Sequence, residues 1–305
     1  MEENVLKSRA SVSRRKLIAF CLVAGVGLGV AGCTSQAPAD NQGKGGAVSY
    51  KITTTTPPPV GDIDSVTWRT HAEAQTLDYA QAFAGPENLV IANICESLVR
   101  FNPDFTSGPA LAKSWDNPSP TTWVFHLQEG VTFHDGTPMT ADDVVASLTR
   151  NMDPSVASVW ASVFAYVKSI TATGPLEVTV ELTKPDALFV PNLGSQAGVV
   201  ESAATLKKLG KTYGTPDGLP NCTGPFSAEK WNPGKSIVLK GYDKYWNNEW
   251  RAHSKTFTIV PIIDDSTALN ALKSGDVDGS WFLPATAYKQ LKTSAPGNAY
   301  FIRDL

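Results

Sequence analysis

Charge of either sign is scarce in this chain, and so are most residues that carry catalytic chemistry. Lysine and arginine together number 26 and aspartate and glutamate 29, leaving a formal net charge of −3 over 305 residues. The basic residues of the body are scattered and lack interleaved aromatics, which excludes the footprint of a nucleic-acid binder. Only four histidines occur, His71, His126, His134 and His253, and no two stand at metal-ligand spacing. There is no Cys-x-x-Cys pair, Gly-x-Ser-x-Gly elbow, P-loop or dinucleotide fingerprint. The adjacent acids Asp142 and Asp143 would point about 100° apart on a helix, so they cannot flank a scissile bond as a glycosidase pair does. The expectation is a protein that is not an enzyme and holds no cofactor or metal.

Long apolar runs are also lacking, apart from one near the start. Arg9, Arg14, Arg15 and Lys16 precede an uncharged stretch from Leu17 to Ala31. A membrane-spanning helix needs roughly 20 apolar residues, so this shorter run between a basic start and small residues predicts a removable export signal over residues 1–32. Ser13-Arg14-Arg15 resembles a twin-arginine signal, with Leu17 and Ile18 meeting only part of the usual pattern. The junction Val30-Ala31-Gly32-Cys33 resembles a bacterial lipobox, whose cysteine sulfur receives a diacylglyceryl group. The alternative is an ordinary signal with an incidental cysteine. Several acyl chains, at about 0.8 kcal/mol per buried CH₂, would hold Cys33 at a membrane where one chain holds only marginally.

Residues 33–60 are rich in Ser, Gln, Pro, Asn, Gly and Thr, with Tyr50 the only aromatic. Such a stretch cannot bury enough apolar surface to offset its ordering entropy, and its Pro-rich part stays extended. It predicts a tether that lifts the body off the membrane. Of the four cysteines, Cys21 leaves with the signal and Cys33 is the lipid acceptor, so Cys95 and Cys222 remain in an oxidising compartment. They either pair as a disulfide or stay as two buried thiols.

Within the body, strand and helix patterns alternate. Trp123, Phe125 and Leu127 share one face of a predicted strand, and Leu176, Val178, Val180 and Leu182 alternate with Glu177, Thr179 and Glu181 in another, with Ser169 to Thr171 as its hairpin partner. Thr140-Ala141-Asp142-Asp143 has the outline of a helix start, a Thr cap followed by acids where the helix dipole favours them. Further strands are predicted at Ile237 to Leu239 and Phe257 to Val260, separated by the aromatics Tyr242, Tyr245, Trp246 and Trp250. Ala268, Leu269 and Leu272 stand at helical spacing before Gly275, a residue suited to a helix end.

Several of these blocks together resemble a known family. Leu111-Ala112-Lys113-Ser114-Trp115, Trp123-Val124-Phe125-His126-Leu127 and Val131-Thr132-Phe133-His134-Asp135-Gly136-Thr137-Pro138 look like the signature of extracellular solute-binding proteins of family 5. Thr76-Leu77-Asp78, Ile94-Cys95-Glu96-Ser97-Leu98, Cys222-Thr223-Gly224-Pro225-Phe226 and Ala271-Leu272-Lys273-Ser274-Gly275-Asp276-Val277-Asp278 agree in order. The resemblance implies an α/β, periplasmic-binding-protein-like fold of type II, with two lobes around a hinge. It places the first lobe at 61–265 and the start of the second at 266–305, most of that lobe being absent from this chain. A glycine usual in the family is Cys222 here, and Cys95 replaces a common aromatic, which favours the disulfide. Ligand contacts are expected at Leu77 and Asp78, with a turn cap as the alternative for Asp78, and at Trp281 and Phe282, with Trp281 otherwise in the core. The implied role is capture of a peptide-like ligand for an ABC permease and ATPase on the outer face of the cell membrane, the periplasmic side where an outer membrane exists. A nickel chelate, oligosaccharide or haem cargo, and a surface sensor or interaction protein, are the alternatives.

Overall fold

The computed structural model describes residues 51–53, 58–102, 104–284, 287, 290 and 300–302. The expected signal, Cys33 and most of the tether lie outside the described residues. Among the described residues no helix is long and apolar enough to cross a membrane.

In chain order the strands and helices are β1 (Lys51–Thr53), β2 (Ile63–Thr70), α1 (Gly85–Ile94), β3 (Val99–Phe101), β4 (Ser107–Pro109), β5 (Ala112–Ser119), β6 (Thr122–Leu127), α2 (Ala141–Arg150), β7 (Val167–Gly174), β8 (Glu177–Leu182), α3 (Phe189–Asn192), α4 (Ala203–Leu209), β9 (Phe226–Asn232), β10 (Ser236–Gly241), β11 (Ser254–Pro261), α5 (Asp265–Ser274), β12 (Gly279–Ser280) and β13 (Tyr300–Ile302). They make two main sheets. One is five-stranded, in the order β12-β2-β11-β10-β9, and the other four-stranded, β5-β6-β8-β7; β3 with β4 and β1 with β13 form smaller pairs.

The four-stranded sheet follows directly from period-two patterning. Phe125 and Leu127 on β6 and Val178, Val180 and Leu182 on β8 are buried, while Glu177, Thr179 and Glu181 alternate with them. Phe125 lies opposite Val178 and Trp123 opposite Val180, so the apolar faces coincide across the ladder. Helix α2 covers that face with Val144 and Leu148, both fully buried. Its start is a capping box: Asp143 Oδ2 accepts from the Thr140 amide at 2.9 Å and the Thr140 hydroxyl at 2.8 Å. Asp143 Oδ1 also accepts from the Ala203 amide at 2.9 Å, so the acid starts one helix and steadies another.

In the five-stranded sheet β2 runs parallel to both β11 and β12, whereas β9-β10-β11 is antiparallel. Ile237, Leu239 and Ile259 pack beneath α1 with Leu77, Val90, Ile91 and Ile94. The expected helix near residue 266 is α5, started by Asp264, whose carboxylate accepts from the Thr267 amide at 2.7 Å, and ended by Gly275 at φ +82°. Sequence reasoning places the opening of a second lobe at 266. The chain from Asp265 to Ser280 extends this sheet: β12 adds to β2, and Asp278 exchanges hydrogen bonds with Thr67, accepting from its amide at 2.7 Å and donating to its carbonyl at 2.8 Å. The physical reason is the open edge of β2, whose backbone groups need partners.

The chain passes between the two sheets twice, leaving after α1 and returning before β9. At the crossing Cys95 and Cys222 form a disulfide, with Cα atoms 4.8 Å apart. Gly224 donates to the Ile94 carbonyl at 2.9 Å. A Cβ there would lie 2.6 Å from the Ile94 carbonyl carbon, so only glycine permits this approach. Glu96 accepts from the Thr223 and Tyr245 hydroxyls, each at 2.8 Å, and from Trp246 Nε1 at 2.9 Å. Burial raises its pKa against the pull of these donors. The sequence's aromatic cluster thus divides: Tyr245 and Trp246 serve Glu96, Tyr242 meets His134 edge-on, and Trp250 lies under Arg100, whose guanidinium is 5.3 Å from its ring.

The disulfide closes a loop of sequence separation 127. Replacing both cysteines, Cys95→Ala with Cys222→Ala, is expected to lower stability by about 2–5 kcal/mol. Denaturant unfolding of the oxidised protein and the double variant measures this; equal midpoints would show that non-covalent contacts alone hold the crossing. A second expectation concerns acid. Burial pushes the His134 imidazole down from 6.5 to about 4. Between those values the unfolded chain binds more protons, so the group's contribution is complete above about pH 6.5 and is lost as pH falls through 4, on the order of 3 kcal/mol. Unfolding free energies across this window should slope upward with pH, and His134→Asn should flatten the slope.

Candidate functional site

The three parallel strands end on one side of the sheet, with Pro261 level with Thr70 and Ser280 level with Arg69. In α/β sheets the crevice beyond the carboxyl ends of such strands is where ligands sit, because the loops there are free to vary over a rigid base. Here that rim consists of the segment after β2, the turn into α5, the segment after β12 and the start of α1.

Its base is Arg69. The side chain has no exposed surface. Its Nε donates to the Ile262 carbonyl at 2.7 Å, Nη2 to Asp265 Oδ1 at 3.0 Å and to the Ile263 carbonyl at 3.4 Å, and Nη1 to the Phe282 carbonyl and, at 3.5 Å, to Ser280 Oγ. One guanidinium therefore gathers the exits of β11 and β12 and the first turn of α5. A second fixing point is Glu87 in the first turn of α1, buried, whose Oε1 accepts from the Gln75 amide at 2.7 Å. Glu73 accepts from the Gly234 amide at 2.6 Å and ties the same segment to the β9–β10 turn.

On this base the rim presents apolar and aromatic surface. Ile263 is 78% exposed, Phe282 56% and Trp281 45%. Trp281 leans on the start of α1, its ring at van der Waals distance from Gly85. Phe282 lies against His71, with ring centroids 5.9 Å apart. Exposed large apolar side chains concentrated on a rigid edge mark a binding surface rather than a core.

The structure thus brings Trp281 and Phe282 together and separates them from the other two expected contacts. Leu77 has no exposed surface and belongs to the core beneath α1. Asp78 is 3% exposed and accepts from both Arg150 terminal nitrogens at 2.6 Å, while its Oδ1 also receives the Ala80 amide at 2.9 Å. Arg150 in turn lies over the Tyr79 and Tyr213 rings, 5.4 and 5.1 Å from their centroids. Leu77 and Asp78 are thus both engaged in contacts within the fold, and a carboxylate held by a forked guanidinium has little capacity left for a ligand. Sequence reasoning missed Arg69, His71 and Ile263. The available signal was Arg69 itself, a lone cation in the strand run Val66 to Thr70 that a buried position would have to saturate with acceptors.

Residues 106–302 match the family described as bacterial extracellular solute-binding proteins, family 5 middle. The periplasmic oligopeptide-binding protein OppA of Escherichia coli is 29% identical over 249 residues, 75% of this chain and 45% of that protein. Among solved structures, the binding protein AgaA of A. tumefaciens in complex with agropinic acid is 28% identical, with a TM-score of 0.70 over 75% of this chain and 46% of the other. DppA of Helicobacter pylori, in complex with the peptide STSA, is 26% identical, with a TM-score of 0.68 over 76% and 49%. This chain spans about half the length of the curated relatives it matches. The mixed sheets and these likenesses give the periplasmic-binding-protein-like fold of type II. The chain belongs to the bacterial extracellular solute-binding proteins of family 5.

Proposed function

We propose that this protein captures peptides outside the cytoplasmic membrane and hands them to an ABC permease with its ATPase, held at the membrane by lipid on Cys33. The observation that carries the reading is the rim: Trp281, Phe282 and Ile263 stand exposed on strand ends clamped by Arg69, in a chain 29% identical to an oligopeptide-binding protein. A preorganised edge of this kind serves a binder, since little freedom remains to be lost when the ligand arrives. Aromatic faces accept peptide backbone and apolar side chains without demanding one sequence, and water completes the remaining polar contacts. The family and the relatives named above are solute-binding proteins, and the role needs no catalytic group. The solved AgaA complex with agropinic acid supports a small organic acid as the second cargo class.

Native mass spectrometry of the protein purified without added ligand tests the proposal. Co-purifying peptides released on denaturation are expected; a bare mass that does not shift when peptides are added would overturn peptide capture. Trp281→Ala is expected to weaken peptide affinity about tenfold, equal to 1.4 kcal/mol, without moving the thermal midpoint. Arg69→Met, in contrast, is expected to lower both affinity and stability, the latter by about 2–4 kcal/mol, because it strands buried carbonyls. Calorimetric titration and thermal unfolding of the two variants separate contact from support.

A further inference from the structure

The end of the five-stranded sheet opposite the rim is where the chain from Cys33 joins it. Ile63, the first residue of β2, pairs with Ser254, the first of β11, and donates to the His253 carbonyl at 2.8 Å. Just before it, Asp62 meets Arg251 Nη2 at 2.9 Å and His253 Nδ1 at 2.7 Å. The tether expected from the sequence joins Cys33 to this junction in about 30 residues, so by chain connection the junction is the part of the sheet nearest the acyl chains.

Exposed aromatic surface gathers at the same end. Trp250, next to Arg251 in the chain, is 56% exposed and lies under the Arg100 guanidinium. The β3–β4 hairpin runs beside the segment 245–250: Glu96, ahead of β3, holds Tyr245 and Trp246, and Arg100 reaches Trp250. Both therefore advance toward the junction, and the hairpin carries the exposed rings of Phe101 and Phe105 on past Trp250.

Phe105 is the sharper sign. Its φ is +64°, in the left-handed region that glycine fills at little cost and a bulky residue does not. The turn is closed by backbone alone, Phe105 donating to the Asn102 carbonyl at 2.8 Å and Asn102 to the Thr106 carbonyl at 2.9 Å. It needs no ring at that position, and the ring, 58% exposed, serves no core. A strained aromatic kept on display points to contact with something outside the fold.

The surrounding charges are mixed. Asp62 is matched by Arg251 and His253 and Asp64 by Lys255, which leaves Arg100 beside the acids Asp104 and Glu249. Rings with charges of both signs around them suit a layer of zwitterionic headgroups, where aromatic side chains have one apolar side and one wet one.

We propose that the β3–β4 hairpin, Trp250 and Ile63 dock on the bilayer that holds the tether, with the Phe101, Phe105 and Trp250 rings at the level of its zwitterionic headgroups. Docking of this kind presupposes the acylated Cys33 proposed above. Weak contact then suffices, because a short linker supplies an effective concentration in the millimolar range. The eight residues of β2 set the rim roughly 25 Å farther out, facing the space from which peptides arrive.

Hydroxyl-radical footprinting of the full chain, with and without vesicles of phosphatidylethanolamine and phosphatidylcholine, reads the face residue by residue. Oxidation of Phe101, Phe105 and Trp250 should fall severalfold with vesicles, while Phe83 and Phe282, exposed elsewhere, keep theirs. Phe105→Gly should raise the lipid concentration needed for half-protection of Phe101 and Trp250 about tenfold. Because it also relieves the backbone, it should leave the thermal midpoint unchanged or higher. Unchanged oxidation of the three rings, or equal protection of Phe83 and Phe282, would overturn the proposal. So would protection that rises with protein concentration in the absence of vesicles, which assigns the face to a second copy. Flotation with vesicles through a carbonate wash reports the acyl anchor separately. A chain that floats with its rings unprotected loses this face alone, and one that washes off yet shows protected rings loses the anchor alone.

Discussion

A buried guanidinium cannot give up its charge, and this constraint organises the end of the molecule where binding is proposed. Arg69 is enclosed at the close of β2, and the acceptors it requires come from segments almost two hundred residues later in the chain. Meeting that requirement forces the exits of β11 and β12 to converge and turns the first residues of α5 toward them. The exposed rings of Trp281 and Phe282 sit on backbone fixed by the same residue, through the Arg69 carbonyl that accepts from the Trp281 amide and the guanidinium that donates to the Phe282 carbonyl.

A comparable logic holds the two sheets together. The chain crosses between them at Cys95 and Cys222, and a covalent link alone would act as a pivot. Glu96 prevents this by binding Thr223, Tyr245 and Trp246 across the crossing, and His134 binds the Gly224 carbonyl from the other sheet's side. Beyond it the buried Glu201 collects the amides of Ser202 and Asn221 and the Tyr213 hydroxyl. Burial raises the Glu201 pKa to about 8 against the pull of these donors. Buried carboxylates with several directional partners fix an orientation in a way that apolar packing alone does not.

Much of the fold was legible because its signals are local. The capping box at Thr140 and Asp143, the alternation in β6 and β8, and Gly275 at the end of α5 depend on neighbours within a few residues, and each stands where the periodicity put it. The site was less legible. Trp281 and Phe282 stood out as aromatics after a turn, whereas the partner of Asp78 was hidden: its carboxylate answers Arg150, seventy-two positions away. The pairing of β12 with β2 was equally hidden, since it joins residues more than two hundred apart.

What the sequence determined by itself was the strand and helix pattern, the family, the unusual cysteine pair and the export-like start, all set by composition and short-range order. Which carboxylates are engaged within the fold and which aromatics stay exposed were decided only by the tertiary structure. Burial and hydrogen-bond saturation are properties of groups brought together from distant parts of the chain, and no local pattern encodes how many acceptors will meet at one guanidinium.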